Sequence, residues 1–127
     1  MIVELSITGE LPGLNEIIDA AKSHFGAYAT MKGIHTDAVC WLTMRAPRLT
    51  RPIEATITWY AKDKRRDPDN VMAGQKFIFD GLVKAGVIPN DTWQYIKGIK
   101  HRFEIDRKNP RVEVRVVEIE EVQNERD

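Results

Sequence analysis

From Pro52 to Tyr60 apolar and polar residues alternate without a break, with Ile53, Ala55, Ile57 and Trp59 on one side and Glu54, Thr56, Thr58 and Tyr60 on the other. A period of two is that of a strand with one buried face. Residues 2 to 8 alternate more briefly, with Ile2, Leu5 and Ile7 among Glu4, Ser6 and Thr8, and Gly9 to Gly13 then read as a turn. The period changes after that. Leu14, Ile17, Ile18, Ala21, Phe25 and Tyr28 recur at intervals of three and four, the stripe of an amphipathic helix. Gly33 is expected to interrupt it, and Val39, Trp41, Leu42 and Met44 carry helical structure on until Pro47 and Pro52 stop it.

Beyond the clearest strand and a charged run, Asp67 and Pro68 form a helix start, because an aspartate accepts from unpaired N–H groups and a proline at the first position needs no donor. Val71, Ile78, Phe79, Leu82 and Val83 supply the buried stripe of that helix, and Gly86 is placed to end it. A loop over 87–92 leads to a strand from about Trp93 to Asp106. The turn RKNP then returns the chain through a strand in which Val112, Val114 and Val116 alternate with Arg111, Glu113 and Arg115, and the last two strands read as an antiparallel hairpin. These elements predict one α/β (α+β) domain over residues 1–120: a mixed, mostly antiparallel sheet of about four strands packed with two helical regions. Residues 121–127 are expected to be a flexible acidic tail.

Composition adds limits. The chain has 127 residues, enough for one core and one site. With 43% hydrophobic and 30% charged residues it has the profile of a folding, globular chain. No apolar run is long enough for a membrane span and the N-terminus lacks a signal peptide's pattern, so the cytoplasm is the expected compartment. One cysteine, Cys40, excludes an internal disulfide and a cysteine-based zinc site, and reads as a packing residue. Nineteen basic residues balance 19 acidic ones, which is unlike most nucleic-acid binders, but the distribution is uneven. Arg45, Arg48 and Arg51 precede one strand, Lys62, Lys64, Arg65 and Arg66 follow it, and Lys97, Lys100, His101 and Arg102 crowd another. Glu118, Glu120, Glu121, Glu125 and Asp127 gather in the tail, so that the body without them is basic.

The segment Arg65-Arg66-Asp67-Pro68-Asp69-Asn70 is where the sequence stops being generic. It sets two carboxylates two residues apart where a strand hands over to a helix, with a proline stiffening the backbone between them. Mg²⁺ and Mn²⁺ favour carboxylate oxygens and retain waters, so two or three aspartates and a phosphate oxygen suffice as ligands. The plainer reading is a capping Asp67, an Asp69 favoured by the helix dipole and a polar Asn70. An isolated D-x-D does not choose between the two.

The longer stretch from Arg65 to Lys100 does. A D-x-D-N box opening a helix, a lysine, a FDGL segment, an AGV turn and an aspartate in a short loop before a strand occur in order as Asp67-Pro68-Asp69-Asn70, Lys76, Phe79 to Leu82, Ala85 to Val87, and Asn90-Asp91. This pattern resembles that of the RusA family of Holliday-junction endonucleases over about residues 52 to 105, with Asn15 a looser match. The resemblance implies a metal-dependent endonuclease resolving four-way DNA junctions as a homodimer, with Asp67, Asp69 and Asp91 holding Mg²⁺ or Mn²⁺. It implies further that Lys76 stabilises charge in the transition state and that Arg65, Arg66, Asn70, Lys97, Lys100 and Arg102 contact DNA. The sequence departs from the pattern in VMAGQ, which puts about three extra residues before Lys76, either one added helical turn or a break at Gly74. Rival readings are a flap- or RNA-directed nuclease and a branched-DNA binder without catalysis.

Other candidates carry less. On an unbroken helix Asp69 and Asp80 would be about 16 Å apart and could not share a metal, so Asp80 is expected to make a structural bond or pair with a basic side chain. Asp91 must return along the sheet edge or serve a neighbouring subunit. His24, His35 and His101 lack metal-ligand spacing, and His101 with Arg102 suits phosphate contact. Trp59, Trp93 and Tyr95 are expected in the core.

Overall fold

A computed structural model describes residues 1–120. In chain order the elements are β1 (Ile2–Thr8), α1 (Leu14–Ser23), α2 (Ala27–Thr43), β2 (Ile53–Ala61), α3 (Pro68–Met72), α4 (Gln75–Ala85), β3 (Ile96–Ile105) and β4 (Arg111–Glu118). The four strands form one mixed sheet in the order β1-β4-β2-β3. Two neighbouring pairs are antiparallel and one, β2 with β3, is parallel. The acidic tail at 121–127 lies outside the described residues.

The alternation in β2 appears as burial: Ile53, Ala55, Ile57 and Trp59 join Val3, Leu5 and Ile7 of β1 and Val112, Val114 and Val116 of β4 on one face, under the helices. Ile78, Phe79 and Leu82 of α4 and Val39 of α2 close this core from above. The polar residues of the same strands face away from the helices. There Glu4, Thr56, Thr58, Lys100, Arg102 and Arg115 line a shallow groove of about 760 Å³.

Four expectations need correction. The last two strands are no hairpin: β4 lies between β1 and β2, and β3 lies beyond β2 at the sheet edge. A parallel neighbour needs a crossover, and α3 with α4 supplies it between β2 and β3. The fully alternating β4 takes the interior place, where both its edges are paired, and the less regular β3 takes the rim. The first helical region breaks at His24–Gly26 and not at Gly33, because Gly26 adopts φ +89° ahead of α2. Trp93 is exposed, since it falls in the turn before β3. Glu118 packs: its carboxylate accepts the N–H groups of Thr50 at 3.0 Å and Arg51 at 3.2 Å, and lies 3.4 Å from the terminal amine.

His101 also has a different place from the one expected. It lies on the helix side of β3, stacked between Trp59 and Phe103, and its Nδ1 accepts the Trp59 indole N–H at 2.9 Å. Burial lowers its pKa, favouring the neutral imidazole in the folded protein. His35, beside Phe77, is lowered for the same first cause. A base whose pKa is lower folded than unfolded stabilises the fold above the unfolded value, about 6.5, and that contribution fades as pH falls. The denaturant midpoint is therefore expected to fall between pH 7.5 and pH 5. His101→Gln, which keeps an acceptor for the indole but does not titrate, is expected to shrink the drop; an unchanged drop would remove His101 from this account.

Candidate active site

Asp67 stands at the N-cap of α3 with extended backbone, and Pro68 follows at the first helical position, as the sequence predicts. Its backbone carbonyl accepts the N–H groups of Asn70 and Val71, each at 3.0 Å. Its carboxylate, however, does not cap the helix. Asp67 and Asp69 are both exposed, and neither side chain bonds or pairs with any of the described residues. Asp67 borders a cleft of about 650 Å³ lined by Trp59, Val71, Phe103 and Ile105, with Glu104 and Asp63 at its rim.

A network of long-range bonds holds this turn in place. The Arg66 guanidinium donates to the Leu11 carbonyl at 3.0 Å and to Glu16 at 3.1 Å, and pairs with Glu10 at 3.6 Å. Asn70 Oδ1 accepts the Asn15 N–H at 3.0 Å, which gives the first turn of α1 an acceptor from outside that helix. Glu16 accepts the Gly13 N–H at 2.9 Å. The backbone at Gly13 passes so close that a Cβ there would stand 2.6 Å from Asn70 Oδ1 and 2.8 Å from the Asn70 carbonyl. Arg66 and Asn70, read from the sequence as DNA contacts, join the loop before α1 to the start of α3. They aim the Asp67–Asp69 turn. Arg65 is the exposed arginine of the pair, its side chain 89% exposed and 3.7 Å from Asp63.

Lys76 and Asp80 face the α2 side of α4. Lys76 Nζ lies 3.3 Å from Asp80 Oδ1, one turn along the helix. Lys32 Nζ of α2 stands 3.5 Å from the other oxygen, near enough for charge attraction but not aligned to hydrogen-bond it. Asp80 thus pairs with basic side chains, as expected. The VMAGQ segment is resolved as a break: α3 ends at Met72 and α4 starts at Gln75, so the straight-helix estimate from Asp69 to Asp80 does not apply. Gly74 lets the loop at Leu11 and Pro12 approach, since a Cβ there would come within 3.1 Å of Leu11 and 3.2 Å of the Pro12 carbonyl.

Asp91 is exposed in the loop before β3, next to Asn90, whose Oδ1 accepts the Thr92 N–H at 3.1 Å. The loop lies where β2 and β3 begin, for Ile53 pairs with Ile96 and donates to the Tyr95 carbonyl at 2.7 Å. Asp67 follows the other end of the same parallel pair. The chain therefore brings Asp67 and Asp69 together but sets Asp91 at the opposite end of a ten-residue strand, which spans about 30 Å. Among the described residues no three histidine, cysteine, aspartate or glutamate side chains gather as a metal-binding group. Lys97 projects at a shift in the β2–β3 register, and Lys100 and Arg102 lie in the helix-free groove.

The family model for endodeoxyribonuclease RusA matches residues 26–117. That range is most of the chain and contains every acidic and basic side chain from Arg65 to Arg102 described above. Among curated proteins none matches. No helix is long and apolar enough to cross a membrane, among the described residues.

Proposed function

The chain belongs to the RusA endodeoxyribonuclease family, and we propose that it is a Mg²⁺- or Mn²⁺-dependent, homodimeric nuclease that resolves four-way DNA junctions in recombination and repair by paired phosphodiester hydrolysis. The observation that carries this reading is the unused carboxylate of Asp67. An aspartate at an N-cap ordinarily bonds an N–H of the first turn; this one leaves its carboxylate unbonded at the cleft, two residues before the equally unbonded Asp69. Two unpaired carboxylates on one rigid turn fit a hard cation that keeps several waters. Bound there, such an ion would polarise the phosphodiester and supply a nucleophilic water at neutral pH.

The protein's own residues have distinct tasks. Asp67 and Asp69 hold the ion, Arg66 and Asn70 keep their turn in position, and Arg65 holds a backbone phosphate. Lys76 reaches the phosphate only by leaving Asp80, so its part is charge stabilisation upon DNA binding. Lys97, Lys100 and Arg102 contact phosphates along β3. A DNA substrate supports the cytoplasmic reading. The test is cleavage of a labelled four-way junction beside duplex, flap, single-stranded and RNA controls, with Mg²⁺, with Mn²⁺ and with chelator. We expect junction cutting that chelator abolishes, and affinity falling with salt at a slope that Arg65→Ala reduces by about one. Equal or faster cutting of flaps or RNA would replace this reading with its nearest rival, and binding without cutting would reject catalysis.

A further inference from the structure

We infer that Lys32 is a positioning residue for the reaction: it takes over the carboxylate of Asp80 when Lys76 leaves for the phosphate, and so sets how readily Lys76 is released. The inference deepens the proposed function and rests on it for the part that Lys76 plays at the phosphate.

A close helix crossing brings the three side chains together. At Gly81, α4 passes so near α2 that a Cβ there would stand 2.9 Å from the Thr36 carbonyl and 2.5 Å from Val39 Cβ. Lys32 lies one helical turn before Thr36, and Asp80 is the residue before Gly81. The crossing thus holds the backbones of Lys32 and Asp80 in register. Lys76 reaches the same carboxylate from within α4, one turn before it. The two lysines divide its oxygens, for Lys76 Nζ lies 3.3 Å from Oδ1 and Lys32 Nζ 3.5 Å from Oδ2. No third basic side chain pairs with Asp80 among the described residues. Lys32 stands outside the stretch from Arg65 to Lys100 that carries the family pattern, so no local signal in the sequence marks it.

The carboxylate is the least exposed of the three groups. Its side chain is 17% exposed, against 52% for Lys76 and 42% for Lys32, and its Oδ2 is buried without a hydrogen bond to any described residue. A carboxylate withdrawn from water and then deprived of its cation has neither hydration nor attraction, so the departure of a sole partner is costly. Asp80 has two partners. When Lys76 turns to a phosphate, Lys32 needs only a short closing movement and realignment to hydrogen-bond Oδ2. The two ammonium groups also repel each other while both face one carboxylate, and the departure of Lys76 relieves that repulsion. Lys32 therefore eases release both by weakening the hold on Lys76 and by keeping Asp80 paired afterwards.

Two measurements on the full-length protein test this. The first reads the exchange of partners without cleavage, by making Lys32→Met in the wild-type chain and in Lys76→Met. With Lys76 present Asp80 keeps a cation, so Tm is expected to fall little; with Lys76 absent the same substitution is expected to lower Tm by about twice as much or more. Equal losses in the two backgrounds would mean that Lys32 does not take over, and would overturn the inference. The second measurement is single-turnover nicking of a labelled junction with Mg²⁺ at saturating protein. Lys32→Met is expected to slow it about three- to fivefold, the range of a partly exposed ion pair, with junction affinity unchanged. Lys32→Arg is expected to keep the wild-type rate. In Asp80→Asn, where no charge holds Lys76 back, Lys32→Met is expected to have no further effect. A slowing as large in Asp80→Asn as in the wild-type chain would overturn the inference, because Lys32 would then act other than through Asp80. A wild-type chain that cuts no junction yet shows the difference in Tm would reject the nuclease reading and leave the exchange of partners standing.

Discussion

Asp67→Asn and Asp69→Asn are each expected to lower junction cleavage by two or more orders of magnitude while leaving the protein folded and bound to DNA. The change keeps the shape and removes the charge. Neither carboxylate bonds any described residue, so the fold loses no interaction that the structure records, and Asp67 keeps its backbone bonds to Asn70 and Val71. What the substitution removes is attraction for a divalent ion, and a hundredfold loss corresponds to about 2.7 kcal/mol of transition-state stabilisation. Junction affinity measured without divalent metal is expected to hold or improve, because a negative charge facing phosphate has gone. Asp80→Asn supplies the contrast. That carboxylate is engaged by Lys76 and Lys32, so its loss is expected to cost little turnover and some stability. Rates, affinities and melting curves on the three variants decide the matter. Cleavage by Asp67→Asn within tenfold of wild type would remove it from the site.

Much of this site could be read along the chain, because the signals that mark it are local. Asp67 before Pro68, the alternation of β2, and Gly86, which ends α4 with φ +82°, each depend on a few consecutive residues. The long-range bonds of Arg66 and Asn70 could not be read for the opposite reason. Their partners lie some 55 positions away at Leu11 and Asn15, and nothing in RRDPDN distinguishes an arginine that joins two loops from one that holds a phosphate. The strand order failed in the same way. A short turn between β3 and β4 reads as a hairpin unless one knows that β4, buried throughout its alternating face, is claimed on both sides by β1 and β2. Asp91 keeps its place in the family pattern, yet only the parallel pairing of β2 and β3 reveals that it sits at the far end of the sheet.

The glycine inside the FDGL segment is a further case in which a residue of the family pattern acts through packing, and replacing it is expected to be the most damaging single change away from the acids. Gly81 lies buried where α4 crosses α2. A Cβ at that position would stand 2.5 Å from Val39 Cβ, 2.6 Å from Val39 Cγ1 and 2.9 Å from the Thr36 carbonyl. Rotating Val39 can move its Cγ1, but its Cβ and the Thr36 carbonyl are fixed by the α2 backbone, so the two helices must separate. Overpacking of this kind costs about 1–3 kcal/mol and at times more, against a gain of at most about 1 kcal/mol from the better helix former. Gly81→Ala is expected to lose about 2 kcal/mol on balance, and Gly81→Val clearly more. Because the obstacle is the α2 backbone as well as its side chain, Val39→Ala should rescue Gly81→Ala only in part, giving a coupling energy that a double-mutant cycle can measure. The turn carrying Asp67 and Asp69 is held from the other side by Arg66 and Asn70. At a temperature where Gly81→Ala is still folded, it should therefore cut junctions within a few-fold of wild type. Equal stability of Gly81→Ala and wild type would mean that the helices can part at no cost, and the close crossing would not be what this glycine provides.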